Sequence, residues 1–213
     1  MIVPSLTLMS GVQMPLLGLE PLTQMHCCPS MTEYIDLYLV HWPGVEGLHP
    51  GDSRHSEYRA QSWATLEFYA SRQFRAIGVS NYNAKHIREL LMSCRVPPVV
   101  LQIECQPKLI QRELRDLCIE TGIHFQAYSS LGTGALLREP EVMDIVRSCG
   151  RTPAQVLLRW AVQQGIVFLV TYPSIVSIKE MAEQLISSTL TSYSQQFGIK
   201  KQTNLRCSKN ELK

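Results

Sequence analysis

Apolar residues recur along the chain with two alternating periods, one typical of buried strands and one typical of helices. Short apolar runs rich in β-branched residues predict strands, and they cover residues 34–41, 76–80, 99–105, 124–129 and 166–172. Apolar positions three and four residues apart predict helices between and after them, over residues 57–73, 83–92, 111–121, 141–148, 153–164 and 175–185. This alternation predicts a parallel sheet covered on both faces.

Residues at the predicted helix ends support these boundaries. Asn83 is a plausible N-cap, and Thr152 followed by a proline is a strong start signal. Gly122 and Gly150 follow two of the helices, where a left-handed residue commonly ends a helix.

The two ends of the chain differ from this pattern. Residues 2–9 and 14–19 predict a short hairpin that runs into a buried strand. Residues 20–33 contain two prolines and no clear period, so we interpret them as an atypical junction loop. The last residues are polar and aperiodic. We therefore predict one domain over 1–186 and a disordered tail over 187–213.

Composition limits the possible classes of function. A hydrophobic content of 45% in 213 residues fits one packed domain. The net charge of +2 does not favour nucleic acid or acidic lipid as a partner, and no run approaches the roughly 20 apolar residues of a membrane helix. The seven cysteines match no metal motif, although His26, Cys27 and Cys28 could supply soft ligands. We expect free thiols in a reducing cytosol, a cytoplasmic location and no metal.

Polar residues lie at the carboxyl ends of four consecutive predicted strands. They are His41, Ser80, Asn81, Gln102, Glu104, Tyr128, Ser129 and Ser130. In a (β/α)₈ barrel the active site is assembled at that end. The pattern alone does not separate a closed barrel from an open doubly wound sheet, although no G-x-G-x-x-G follows a strand.

Each of these residues also has a purely structural interpretation. His41 could donate a proton or orient a substrate, or it could simply end a strand before the Pro43-Gly44 turn. Tyr128 could stack on a planar ring or belong to the core. We interpret Asp36 as structural and His86 and His124 as surface residues.

Five consecutive blocks resemble the aldo-keto reductases: YIDLYLVHWP, AIGVSNYNAKHIRELL, PVVLQIECQP, FQAYSSLGTG and TPAQVLLRWAVQQG. The segment SLTLMSGVQMPLLGL is similar to the N-terminal hairpin and first strand of that family. The resemblance covers residues 3–19 and 34–185. It implies a (β/α)₈ barrel that reduces small-molecule carbonyl compounds with NADPH in the cytosol.

The resemblance also implies an incomplete active site. The family uses an Asp, a Tyr, a Lys and a His, and the His matches His41. The other three precede the YIDLYL strand in the family, whereas residues 20–33 here contain no Asp, Tyr or Lys. The implied fold is an incomplete α/β TIM barrel of about six parallel strands with an N-terminal hairpin. It lacks barrel strands 2 and 3 and the family's C-terminal segment.

The positions that bind the cofactor in the family are matched in this chain more fully than the catalytic positions. The resemblance implies that Ser80, Asn81 and Gln102 contact the nicotinamide carboxamide and that Tyr128 stacks on its ring. The positions implied to border the pyrophosphate or contact adenine are Ser129 or Ser130, Leu131, Gly132 and Glu180. In an ungapped match, Thr171 and Ser177 stand where the family has the Lys and Arg that bind the 2′-phosphate. A shifted match places Lys179 near the Arg position, but the Lys is lost in both, so NADPH affinity is expected to be reduced.

Three functions remain open from the sequence. The chain could be an impaired monomeric reductase, either a shortened isoform or the product of a decayed gene copy. It could be a non-catalytic remnant that binds a cofactor or a partner. It could also be a product of alternative splicing that does not fold stably, because missing strands expose apolar surface.

Overall fold

The computed structural model describes residues 5–7, 11, 13–15, 17–20 and 35–171. The strands are β1 (Ser5–Thr7), β2 (Gln13–Pro15), β3 (Leu17–Glu20), β4 (Tyr38–Val40), β5 (Ile77–Ser80), β6 (Val100–Glu104), β7 (His124–Tyr128) and β8 (Val167–Thr171). The helices are α1 (Arg54–Gln73), α2 (Ala84–Ser93), α3 (Arg112–Thr121), α4 (Pro140–Cys149) and α5 (Pro153–Gln163), with a 3₁₀ helix at Gly132–Arg138.

Six strands form one parallel sheet, in the order β3-β8-β7-β6-β5-β4. Strands β1 and β2 form a separate antiparallel hairpin. The edge strands β3 and β4 are consecutive along the chain, and the structure describes no pairing between them within its ranges. The incomplete barrel with about six parallel strands and an N-terminal hairpin is thus confirmed.

The predicted helix caps are confirmed at both named residues. The Asn83 side chain accepts a hydrogen bond from the backbone N–H of His86, and that of Thr152 accepts one from Gln155. Gly122 and Gly150 end α3 and α4 with φ of 72° and 67°, respectively, which favours glycine because it has no Cβ.

The sheet is packed with apolar side chains on both faces. On the outer face, alternate residues of β5 and β6 pack against α1, α2 and α3. Members of this cluster include Trp63, Ile77, Val79, Ile87, Leu101 and Leu117. On the inner face, Ala76, Val100 and Val167 are buried against Leu37 and Leu39. Sheet residues therefore alternate between the helix layer and the barrel interior.

Gly78 marks a close approach between strands on the inner face. A Cβ at this position would lie 2.6 Å from the Val100 carbonyl oxygen and 2.7 Å from Leu39 Cδ2. A side chain here would displace backbone, so β4, β5 and β6 can approach this closely only around a glycine.

Some predictions differ from the structure. The strand predicted over 34–41 covers only Tyr38–Val40, because pairing with β5 begins at Tyr38 and the residues before it make only an isolated bridge, Ile35 to Phe74. Asp36 is exposed, and its carboxylate pairs with Arg75 at 3.1 Å. His86 and His124 are half-buried, so the prediction that both are surface residues is wrong. The helix predicted over 175–185 and the tail over 187–213 lie outside the described residues, as do residues 21–33 of the junction loop.

Candidate functional site

The carboxyl ends of β4 to β7 lie side by side at one edge of the sheet. Ser80 is paired in register with Gln102, and Gln102 is paired with Gln126. Two positions nearer the carboxyl end of the sheet, Glu104 pairs with Tyr128. Residues two apart along a strand point to the same face, so these side chains share the inner face with Val100 and Val167.

Asn81 connects three neighbouring strand ends through hydrogen bonds. Its backbone N–H donates to the Gln102 carbonyl oxygen at 2.9 Å, and its side-chain Nδ2 donates to the His41 carbonyl oxygen at 3.0 Å. Its Oδ1 accepts from the Tyr128 hydroxyl at 2.7 Å. Asn81 has a φ of 62°, a conformation that asparagine tolerates better than most residues. The network fixes the Tyr128 ring relative to β4 and β5.

Two buried hydroxyl groups in this region have no hydrogen-bond partner among the residues that the structure describes. Ser80 and Ser130 are 2% and 3% exposed, and the Oγ atom of each is buried and unpartnered. Because most buried polar side-chain atoms are hydrogen-bonded, such hydroxyls are suited to a ligand that carries donors or acceptors. A nicotinamide carboxamide and a pyrophosphate both fit this requirement.

A tight turn follows β7 and leads into the 3₁₀ helix. Ser129 has a φ of 50°, and its carbonyl oxygen accepts a hydrogen bond from the Gly132 N–H at 2.8 Å. Gly132 has a φ of 60°, and a Cβ there would lie 2.6 Å from Leu136 Cγ. Leu131 is half-buried between them. The chain therefore turns sharply where the resemblance implies that the pyrophosphate lies.

His41 lies just beyond β4 and is exposed. Its ring is in a tilted contact with that of Trp42, at a centroid distance of 5.7 Å. The Asn81 hydrogen bond holds its backbone, so the structure brings His41 to the same edge as the other strand-end residues.

Cys105 follows β6 and is fully buried. Burial raises the pKa of its thiol to about 11, so the group stays protonated at neutral pH and is a poor nucleophile.

Within the described ranges no group of three or more His, Cys, Asp or Glu side chains is arranged to hold a metal ion. None of the helices in the same ranges is both long and apolar enough to span a bilayer.

The sequence matches the model of the aldo/keto reductase family over residues 30–197. The chain belongs to this family. It is 41% identical over 149 residues to a glyoxal reductase of Bacillus subtilis, which covers 70% of this chain and 48% of the relative. It is 40% identical over 139 residues to a 9,11-endoperoxide prostaglandin H2 reductase of Trypanosoma cruzi, covering 63% and 45%, respectively. The chain therefore spans about half the length of these relatives.

Solved structures of aldo-keto reductases agree with the fold. A silkworm (Bombyx mori) aldo-keto reductase complexed with NADPH superposes with a TM-score of 0.57 at 32% identity, covering 70% of this chain and 49% of that one. A reductase from Brucella melitensis superposes with a TM-score of 0.68 over 85% and 91% of the two chains, and at 23% identity it supports the fold alone. The NADPH complex supports NADPH as the cofactor of the family.

Not every residue of the site was found from the sequence. Glu180 and Ser177 lie outside the described residues, and Thr171 ends β8. Gln126 was not singled out, although it is 5% exposed and hydrogen-bonded to Gln102. A polar residue two positions before Tyr128, in an otherwise mostly apolar strand, was the available signal.

Proposed function

We propose that this chain binds the nicotinamide end of NADPH at the edge formed by β4 to β7, and that it reduces carbonyl compounds very slowly or not at all. The observation that carries the proposal is the pair of buried, unpartnered hydroxyls of Ser80 and Ser130 beside the Asn81 network. Family membership and the NADPH complex of a relative support the choice of ligand.

Each strand-end residue has a distinct part in this proposal. The Ser80 hydroxyl and the side-chain amides of Asn81 and Gln102 hydrogen-bond the carboxamide. Besides its hydrogen bonds to His41 and Tyr128, Asn81 has one further N–H on Nδ2 and one further lone pair on Oδ1, which can bond the carboxamide. The Tyr128 ring is held by its hydroxyl and stacks on the nicotinamide.

The turn after β7 completes the cofactor site. Ser129, Ser130, Leu131 and Gly132 border the pyrophosphate. Thr171 carries no charge to bind the 2′-phosphate, which weakens affinity because charge-assisted hydrogen bonds contribute about 1.5–3 kcal/mol each.

The reductase chemistry lacks its proton donor. Bound NADPH supplies a hydride, and the carbonyl oxygen must gain a proton as the hydride arrives. His41 orients the carbonyl in this proposal, but residues 20–33 contain no tyrosine to donate that proton, and no lysine or aspartate to lower the pKa of such a tyrosine. Positioned acid catalysis typically contributes 10²–10⁴-fold, and we expect the rate to fall by about that factor.

Binding is tested by titrating the protein with NADPH and NADH and following fluorescence. Ser80→Ala should lower NADPH affinity about two- to tenfold through loss of one hydrogen bond. It should leave thermal stability unchanged, because the hydroxyl has no hydrogen-bond partner in the described part of the chain. Ser148→Ala is the control for a Ser→Ala change away from the site, because Ser148 is exposed on α4 and its hydroxyl donates to the Ile145 carbonyl oxygen. Absence of quenching at millimolar cofactor would exclude the site.

Turnover is tested with NADPH and 4-nitrobenzaldehyde, following absorbance at 340 nm. A rate within tenfold of an ordinary aldo-keto reductase would overturn the proposed impairment. The same sample must first show a cooperative thermal transition and a single species in solution. A chain without such a transition would instead fit the unstable product of alternative splicing.

A further inference from the structure

Gln126 is a buried amide at the end of a row of three polar residues on neighbouring strands, Ser80, Gln102 and Gln126. It is 5% exposed and stands between Gln102 on one side and Val167 on the other. Its Oε1 accepts a hydrogen bond from Gln102 Nε2 at 3.1 Å. Ser80 continues the row beyond Gln102.

This hydrogen bond decides which end of the Gln102 amide is available to a ligand. A glutamine side chain offers a carbonyl acceptor and an amino donor, which diverge from one carbon atom. With Nε2 directed at Gln126, the carbonyl Oε1 is directed away from it. The Ser80 hydroxyl forms no hydrogen bond with any described residue, Gln102 included, so it does not occupy that oxygen.

Resting on the cofactor site proposed above, we propose that Gln126 is a positioning residue. By accepting from Gln102 Nε2, it presents Gln102 Oε1 as an acceptor, which selects a ligand amino group. The nicotinamide carboxamide carries such a donor. A ring that bears a carboxylate instead has only acceptors and meets the same oxygen unfavourably.

The discriminating measurement is the ratio of two dissociation constants for the intact chain. NADP⁺ carries the carboxamide, and nicotinic acid adenine dinucleotide phosphate differs from it by a carboxylate at the same ring position. Isothermal titration of both ligands should show a preference of about tenfold or more for NADP⁺. The two ligands share their adenine and phosphate groups. A change in the contacts to those groups therefore alters both dissociation constants equally and leaves their ratio unchanged.

Substitution of Gln126 should reduce this preference without abolishing binding. Gln126→Met has a similar volume but offers no comparable oxygen acceptor, so the Gln102 amide can turn its Nε2 towards the ligand carboxylate. We expect the ratio to fall to about threefold or less. Gln126→Thr is a second variant suited to a strand, and it removes the amide carbonyl to which Gln102 Nε2 donates. Gln126→Glu keeps an acceptor and should keep the preference.

Val167→Ala is the control for loosened packing. Val167 pairs with Gln126 in register and is buried, but it has no side-chain polar atom. Its truncation should weaken both ligands equally and leave the ratio unchanged. Thermal unfolding of each variant identifies any that fail to fold.

The outcomes separate this inference from the cofactor site itself. If the unsubstituted chain binds neither ligand at millimolar concentration, the cofactor site is wrong and the role of Gln126 is wrong with it. If it binds NADP⁺ but shows no preference, or if Gln126→Met and Gln126→Thr keep the full preference, the cofactor site stands and Gln126 has no positioning role. A preference for the carboxylate ligand would mean that the amide pair is oriented in the opposite sense, which also overturns the inference.

Discussion

Asn81 links the other strand-end residues of the candidate site through hydrogen bonds. It immediately follows β5, and its hydrogen bonds reach His41, Gln102 and Tyr128. The backbone adopts a left-handed φ of 62° to bring the side chain between these strands. The left-handed backbone and the side-chain hydrogen bonds of Asn81 therefore make separable contributions to the free energy of unfolding.

Two substitutions of Asn81 separate these contributions. Asn81→Gly keeps the conformation and loses two side-chain hydrogen bonds, so we expect a loss of about 1–2 kcal/mol in the free energy of unfolding. Asn81→Ala loses the same bonds and adds backbone strain, which costs about 1 kcal/mol more. Urea denaturation measures both. If the glycine variant is as stable as the unsubstituted chain, the network contributes nothing to folding.

The strand-end residues of the site could be predicted from the sequence, whereas Gln126 could not be assigned a contact. Parallel strands place their carboxyl ends at one edge, so Ser80, Asn81 and Tyr128 are expected to lie together once the strands are recognised. Whether Gln102 hydrogen-bonds Gln126 depends on the register between β6 and β7, and a period of two does not distinguish registers that differ by two residues.

At the scale of elements, α2 is held at its start by a reciprocal pair of side chains. Asn83 accepts from the His86 N–H at 2.9 Å, and the Asn83 N–H donates to His86 Nδ1 at 3.4 Å. The His86 ring also contacts Tyr82 edge-on at 5.8 Å. The imidazole must be neutral at Nδ1 to accept this hydrogen bond.

This arrangement makes the stability of α2 depend on pH. Burial is the main cause that lowers the pKa of His86 below 6.5, and the positive charge of Arg59 lowers it further, while Glu89 acts in the opposite direction. The unfolded chain then binds the proton more readily than the folded chain. The stabilisation is fully present above about pH 6.5 and is lost as the pH falls through the folded-state pKa.

The contribution of His86 is measured by comparing unfolding free energies between pH 5 and pH 8 for three proteins. His86→Gln keeps an acceptor for the Asn83 N–H, so it should keep the cap and flatten the pH dependence. His86→Ala should lose part of the cap at every pH. An unchanged pH profile in His86→Gln would show that another group carries the dependence.

Local signals predicted most helices and strands to within one residue at each end, and failed mainly at β4, at the start of α1 and at the turn after β7. Asn83 and Thr152 cap α2 and α5 because their side chains can accept hydrogen bonds from exposed backbone N–H groups. This ability depends on the residue type alone, so it can be recognised in the sequence. The 3₁₀ helix at Gly132–Arg138 was missed because two of its residues have non-helical backbone and its apolar period is interrupted. Strand β4 is shorter than its apolar run because pairing with β5 begins only at Tyr38.

At the scale of the whole molecule, the sheet has a protected centre and two edges. Strands β5 to β8 each have neighbours on both sides, whereas β3 and β4 have one described neighbour each. The sequence indicated this arrangement through its family blocks, because residues 20–33 are too few to supply two further strand–helix units. Periodicity alone did not distinguish an incomplete barrel from an open sheet.

Hydrogen exchange tests this picture at single amides. The Tyr38 N–H donates to the Ala76 carbonyl oxygen at 3.0 Å, towards β5. In a parallel ladder successive residues address opposite sides, so the Leu39 N–H points to the side of β4 on which the described residues provide no strand. Leu101 lies in β6, where strands flank both sides. We therefore expect the Leu39 amide to exchange far faster than those of Tyr38 and Leu101. Equal, slow exchange at Leu39 would show that this edge is covered in solution, and repeating the measurement at several protein concentrations would show whether a second copy covers it.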